Sequence, residues 1–257
     1  MGRCENKGLE DMQLDKKYIR NMENSSKGTQ LKFFKDNIWY KRDSMGYEGK
    51  AEALCSLLMQ CSDIPEFVTY EECRINGRSG CCSKNFLQNG EECITLQRLY
   101  EFHKGGQLND AVLKYEKVEE RIAYVLEFVE KATGLCLREY LSKLLTLDML
   151  TLNIDRHFHN ICVIRREDHT YRTAPVFDNG AALLSNFSIF PVDCELEDNI
   201  DRAVAAPFSG SFELQAKALG MELAIKPEIT SILEEYPNCR AKQVLAYQLK
   251  RYEFLIK

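Results

Sequence analysis

No run in this sequence is apolar over anything like the roughly 18 residues that a membrane-spanning helix requires. Its start, Met1 to Lys17, is polar and charged and so does not read as a secretory signal peptide. Paired cysteine spacing is missing as well. The 11 cysteines are odd in number, scatter from Cys4 to Cys239 and form no C-x-x-C pair, which argues against zinc-ribbon and disulfide-scaffold patterns. Cys81 and Cys82 are adjacent and poorly placed to ligate one metal together. Cys55 and Cys162 fall inside apolar patterns, where a thiol behaves as a small hydrophobe. The expectation is a cytoplasmic chain with reduced thiols. Excess positive charge is also lacking: the net charge of −5 argues against broad coating of nucleic acid, although a local basic patch can still hold phosphates. Neither an internal repeat nor a low-complexity segment occurs.

What is present is an ordinary globular composition, 45% hydrophobic and 28% charged over 257 residues, enough for one large core or two lobes in contact. The chemistry concentrates between Asn153 and Gly180, N-I-D-R-H-F-H-N-I-C-V-I-R-R-E-D-H-T-Y-R-T-A-P-V-F-D-N-G. Asp155 and Asn160 form a D-x-x-x-x-N pattern, the spacing that kinase catalytic loops use for a base and a metal ligand. Ile161 to Ile164 and Tyr171 to Phe177 are β-compatible runs around a polar Arg165 to Thr170. A hairpin folded near His169 brings Asn160 and Asp178 back to one end, where an amide and a carboxylate oxygen can share a hard cation. Asp178-Asn179-Gly180 then stands where kinases carry D-F-G. Any one of these residues alone is as easily a turn former or a helix cap. The combination, with a suitable lysine upstream, points to phosphoryl transfer.

Upstream, residues 1–20 carry little pattern and are expected to form an N-terminal arm. Asn24 to Gln30, with Ser25, Ser26, Gly28 and Thr29, is a small polar turn. A glycine beside hydroxyls lets backbone N–H groups approach phosphate oxygens, though an ordinary β-turn is spelled the same way. Leu31 to Phe34 is a strand, Asp36-Asn37 a hairpin turn, and Ile38 to Lys41 a second strand. Lys41 is either solvated or, in a nucleotide-binding lobe, the partner of the α/β-phosphates and of a helix carboxylate. Such a helix follows: Ala51, Leu54, Leu58 and Cys61 make a stripe within Tyr47 to Cys61. Glu52 is the candidate partner of Lys41, and Glu48 suits the first turn, near the positive end of the helix dipole. Short strands at Phe67 to Tyr70, Arg74-Ile75 and Ser83 to Leu87, with a turn at Gly77 to Gly80, complete a β-rich lobe ending near residue 92. By position alone, Glu91 to Ile94 is the hinge that offers backbone groups to adenine.

The remainder is mainly helical. Gly105-Gly106 separates a short helix from a long one, for which Asn109 or Asp110 is the expected cap, Val118, Ile122, Val125 and Val129 the stripe, and Gly134 the stop. Leu135 to Leu152 is a leucine-rich, buried helix that delivers the chain rigidly into the catalytic loop. Acidic Asp193 to Asp201 is expected as a solvated loop. Helices near 213–219, 227–236 and 239–256 close the chain, and core packing explains the amphipathic last one.

Taken together, Gly28-Thr29-Gln30-Leu31-Lys32, Lys41, Glu52, the loop Asn153-Ile154-Asp155-Arg156-His157-Phe158-His159-Asn160 and Asp178-Asn179-Gly180 resemble the HipA-like kinases, especially their short CtkA-like members. The match spans roughly residues 25 to 215, and the loop is its specific part. The resemblance implies an α+β, bilobed protein-kinase-like fold, with a β-rich nucleotide-binding lobe over 1–92 and a helical lobe over 93–257. It implies ATP and Mg2+ as cofactors and phosphorylation of Ser or Thr on protein. Carried over, Asp155 is the base, Asn160 and Asp178 hold Mg2+, and Lys41 steadies the α/β-phosphates with Glu52 behind it. Ser26, Gly28, Thr29 and Gln30 surround the phosphates, Glu91 and Ile94 flank adenine, and His157 orients the loop by hydrogen bonding. The family phosphorylates itself in the glycine turn, which makes Ser25 and Ser26 candidate acceptors. Because the chain begins almost at that turn, the extra N-terminal subdomain of full-length HipA toxins is expected to be absent. The partners implied are a protein substrate, with neither nucleic acid nor a membrane. Two other readings stay open. D-R-H-x-x-N-I, here Asp155 to Ile161, is also the loop spelling of phosphatidylinositol kinases, and a catalytically silent, nucleotide-gated binding module would keep the same residues.

Overall fold

The Asp36-Asn37 corner takes positive φ at both residues, 52° and 62°, the turn geometry whose twist suits a hairpin. It joins β2 (Leu31–Lys35) to β3 (Ile38–Arg42). A second corner at Asn76-Gly77, again with positive φ, joins β4 (Glu71–Ile75) to β5 (Arg78–Lys84). In this computed structural model, which describes residues 9–20 and 30–257, β1 (Asp11–Met12) completes a five-stranded sheet in the order β1-β4-β5-β3-β2. β1 pairs in parallel with β4, and Leu14 is buried with Phe33, Tyr40 and Ile75. The expected N-terminal arm is therefore, over residues 9–20, an edge strand and a plug in the first lobe's core. Asn76 fixes it, accepting from Leu14 N at 2.7 Å and donating to Leu14 O at 2.9 Å. Such a side-chain clasp leaves no periodicity in the sequence.

Helix α1 (Glu48–Gln60) lies across β4 and β5. Two glycines permit the approach: a Cβ at Gly49 would meet the Gly80 carbonyl carbon at 2.4 Å, and one at Gly80 would meet the Lys41 carbonyl oxygen at 2.2 Å. The Glu48 carboxylate accepts from the backbone N–H groups of Ser44, Met45 and Gly46, closing the turn that starts the helix. Phe67 to Tyr70, expected as a strand of the first lobe, instead crosses to the second half of the chain. Phe67 forms a lone bridge with Val176, and Val68 N donates to Val176 O at 2.9 Å. β5 ends at Lys84, and Asn85 to Leu87 leave the sheet.

The second lobe is helical around a small antiparallel sheet, β6 (Glu92–Thr95), β7 (Cys162–Arg165) and β8 (Tyr171–Thr173), in that order. The β7–β8 hairpin turns at His169, whose φ is +64°. Helices α2 (Leu96–Lys104), α3 (Leu108–Val112), α4 (Val118–Thr133) and α5 (Arg138–Thr151) precede the loop from Asn153 to Asn160. Asn109 and Asp110 do not cap α4. They lie inside α3, an extra turn held by buried Leu108 and Val112 and by the Leu108 N–H on Gln97 Oε1. α5 is buried without a break from Leu141 to Thr151 and serves as the lobe's axle. After the site come α6 (Leu196–Asp201), α7 (Phe212–Lys217), α8 (Glu228–Glu235) and α9 (Arg240–Arg251). The acidic segment expected as a solvated loop contains α6, because Ile200 packs into the core and buried Asn199 donates to Pro191 O at 3.0 Å.

Candidate active site

α5 stops where Leu152 turns left-handed, with φ at +53°. Two asparagines then shape the loop. Asn153 Oδ1 accepts from Asp155 N at 3.3 Å, and Asn160 Nδ2 donates to Asp155 O at 2.8 Å. They present the Asp155 carboxylate outward, with 55% of its side chain exposed. Burial of its surroundings pushes this carboxyl up, His157 draws it down, and Asp178 adds to the rise.

Beneath the loop lies a buried cation. Arg156, 1% exposed, forks onto Asp148 with Nε to Oδ2 at 2.9 Å and Nη2 to Oδ1 at 3.0 Å. It also donates to Asn179 Oδ1 at 2.7 Å and to Phe177 O at 3.0 Å. A buried ion pair offsets its desolvation only when geometry is good and the remaining donors are used, and here they are used to tie α5, the Asn153–Asn160 loop and the Asp178-Asn179-Gly180 element together. His157, expected to orient the loop, makes no such bond: its Nε2 is 3.7 Å from Asp155 Oδ1, and its buried Nδ1 has no hydrogen-bond partner among the described residues. Arg156 does the orienting instead. Its burial in a D-R-H spelling left no sequence signal, since arginine is by default a surface residue.

Above the loop, the hairpin brings Asp178 to the underside of the first lobe. Lys41 Nζ lies 2.7 Å from Asp178 Oδ1, 2.6 Å from Glu52 Oε1 and 3.2 Å from the Tyr70 hydroxyl. Glu52 Oε2 accepts from Asn179 N at 2.8 Å, so the helix carboxylate grips both the lysine and the D-N-G backbone. Lys32 Nζ, next to Lys41 across β2 and β3, stands 4.0 Å from Asp178 Oδ2. Burial acts to raise the Asp178 carboxyl, but Lys41 and then Lys32 outweigh it and hold the group well below the usual range. For Lys41, burial acts to lower the pKa, and Asp178 and Glu52 overcome it and keep the ammonium charged. With two carboxylates sharing one ammonium, fully buried Glu52 is the one that burial pushes upward. Tyr70, which also lies under the ammonium at 4.7 Å from ring centroid to Nζ, and Asp148 are two of the site residues that sequence reasoning missed.

These groups close one end of a cleft of about 370 Å³ between the lobes. Its other end is apolar, made by Val68, Phe86, Leu87, Phe177 and one face of the β6–β7 pair. Alternation assigns that face. Cys93, Thr95 and Cys162 point into the cleft, whereas Ile94 faces the opposite way into the helical core. Ile94 therefore brings no side chain to the cleft. The Glu91 carboxylate is held by Arg172 through two 2.8 Å bonds, which depress it to about 2, and it braces β6 against β8. Ser25, Ser26, Gly28 and Thr29 lie outside the described residues. Gln30 is half-buried, and its Nε2 has no partner among the described residues.

The asparagine suits a divalent cation. Asn160 is 3% exposed, its amide nitrogen is committed to Asp155 O, and its Oδ1 is a buried acceptor with no donor among the described residues. An orphaned acceptor of this kind is costly unless something fills it. One amide oxygen and one ionised carboxylate match how Mg2+ is held, by one or two protein oxygens with phosphates and water completing the shell.

No protein-family model and no curated protein matches the sequence. Among solved structures, the Helicobacter pylori proinflammatory kinase CtkA aligns with a TM-score of 0.58 at 15% identity, over 88% of this chain and 90% of its own. HipA from the Shewanella oneidensis MR-1 toxin–antitoxin complex with HipB and operator DNA aligns at a TM-score of 0.45 and 13% identity, over 94% of this chain and 67% of that one. The first likeness establishes the architecture as a kinase-like α+β fold.

Proposed function

We propose that this chain is an ATP- and Mg2+-dependent protein kinase that phosphorylates Ser or Thr hydroxyls, its own among them. The observation that carries the reading is the meeting of Lys41, Glu52 and Asp178 within 2.7 Å contacts at the end of a cleft large enough for a nucleotide. The orphaned Asn160 oxygen gives it a second footing. Asn160 Oδ1 and the Asp178 carboxylate would hold Mg2+, which when bound supplies neutralising charge to the phosphates. Lys41 turns its ammonium from Asp178 toward the α/β-phosphates, with Glu52 and Tyr70 keeping it in place. Asp155, exposed and with its carboxyl raised, orients the attacking hydroxyl and accepts its proton. Positioning and electrostatics carry most of such a reaction, which suits a site whose charges are fixed by buried partners. Ser25 and Ser26 precede β2 by a few residues, and β2 carries Lys32 beside Asp178.

The test is transfer of labelled γ-phosphate from ATP with Mg2+ by wild type, Asp155→Asn and Asp178→Asn. Reactions contain the protein alone, a generic basic protein or phosphoinositide vesicles. Label on protein that vanishes in both variants is the expected outcome, with mapping at Ser25 and Ser26. Label on lipid alone would make this a lipid kinase. ATP-dependent thermal stabilisation with no transfer to any acceptor would reduce it to a nucleotide-gated binding module.

A further inference from the structure

The apolar end of the cleft holds a pair of thiols that phosphoryl transfer does not use. In the β6–β7 ladder Cys93 stands opposite Ile164 and Cys162 opposite Thr95, so the two cysteines are diagonal neighbours on one face. That face lines the cleft. Cys162 is 1% exposed, while Cys93 is half-exposed and open to the cleft. Next to Ile164 on the adjoining strand is Arg172, whose guanidinium is fixed on Glu91, the residue two before Cys93.

We propose that Cys93 is a thiol-modification site inside the cleft, taking low-molecular-weight disulfides by exchange, with Cys162 beside it on the same face of the ladder. The neighbouring Cys162 thiol, with further help from Arg172, acts to hold the Cys93 thiol below its usual range despite burial, and the thiolate is the nucleophilic form. In the step, Cys93 loses its proton to solvent and attacks one sulfur of the disulfide. A new S–S bond forms to Cys93, the old S–S bond breaks, and the second sulfur leaves as a thiolate. The adduct stands among Phe86, Leu87 and Phe177, in the space where a base would lie. That consequence for nucleotide rests on the kinase reading, whereas the thiol chemistry does not.

The chain carries its own control. Cys73 and Cys82 form the same diagonal arrangement on β4 and β5, with Cys73 opposite Gly80 and Cys82 opposite Glu71. Cys82 is likewise half-exposed and lowered by its partner's hydrogen bond, but it borders a different surface hollow with Ile38 and Phe67. Cys136 is an exposed thiol with no such partner shown.

The experiment treats the full-length chain with oxidised glutathione at neutral pH and maps adducts by peptide mass against time, with and without ATP and Mg2+. Cys93 is expected to react about tenfold faster than Cys136, the adduct should disappear with a reducing thiol, and Cys93→Ser should lack it. ATP with Mg2+ is expected to slow Cys93 by about tenfold through mass action, leaving Cys82 unchanged. Cys93 reacting no faster than Cys136, or remaining unmodified while Cys82 reacts, overturns the proposal. Fast reaction at Cys93 that nucleotide does not slow upholds the thiol site and instead removes nucleotide from this cleft.

Discussion

The two ends of the cleft are built on opposite principles. At the charged end the buried charges have fixed partners: Lys41 between Glu52 and Asp178, Arg156 between Asp148 and Asn179, and Glu52 reaching the Asn179 backbone. At the apolar end Phe86, Phe177, Leu87 and the β6–β7 face supply shape and apolar contact, with Glu91 already committed to Arg172. Directional contacts hold atoms to fractions of an ångström, which transfer chemistry needs. Apolar contact tolerates variation in what it touches, which is enough for holding a flat ring. The comparison predicts that damage at the first end removes rate and damage at the second removes affinity.

The largest effect belongs to Asp178→Asn. Losing the carboxylate that faces both the cation position and Lys41 is expected to cost on the order of 10³-fold or more in kcat. Stability should hardly move, because Lys41 keeps Glu52 at 2.6 Å and Glu52 loses a competitor. Single-turnover transfer together with a thermal melt reads both, and a large fall in melting temperature would mean that Asp178 is a structural rather than a chemical group.

Next in size is the buried pair. Asp148→Asn leaves the Arg156 charge uncompensated and should cost about 3–5 kcal/mol, seen as a lowered denaturation midpoint. The joint replacement Asp148→Leu with Arg156→Met should regain much of that stability and yet stay slow, because Asn179 and Phe177 O lose the donor that fixes the D-N-G element. A double variant with wild-type turnover would show that Arg156 holds the fold but not the site.

The same contrast explains what could be read beforehand. Asp155, Asn160, Asp178, Lys41 and Glu52 could be picked out beforehand because polar and charged groups placed together obey spacing: five residues within a loop, a hairpin's return, a strand followed by a helix. The Asp36-Asn37 corner and the α4 and α5 helices were visible through turn chemistry and periodicity. Val68, Phe86 and Phe177 were not, since an apolar residue facing a cleft has the same spelling as one facing a core. The register of β6 decides between them, and it turned Cys93 inward to the cleft and Ile94 away from it. Arg156 was hidden for the opposite reason, a charge where burial is the exception. Residues 9–20 entered the sheet through Asn76, a long-range clasp with no local pattern.

At the apolar end, Phe177→Ala removes an aromatic wall that stacks near Phe86 at 5.5 Å between centroids. The loss is expected to be about 1–2 kcal/mol of ground-state binding, a rise in KM for ATP of roughly tenfold with kcat within about threefold of wild type. Initial rates across ATP concentration separate the two. A fall in kcat matching the rise in KM would erase the division of labour between the ends.

The smallest effect sharpens the comparison within the charged end itself. As the proposed base, Asp155 must be ionised to take a proton, so the rate is expected to fall as pH drops through its pKa. Burial and Asp178 raise that pKa, which places the acid limb of kcat/KM above the ordinary aspartate range, while Asp178, held well below its usual range, stays ionised across the same window and adds no limb of its own. His157, 3.7 Å from Asp155 Oδ1, pulls in the opposite direction. His157→Gln should therefore move the limb to higher pH and leave the plateau rate within about twofold, since no loop hydrogen bond is lost. A pH profile of initial rates for the two proteins decides it. An unmoved limb with a collapsed plateau would return His157 to the structural role that Arg156 otherwise fills.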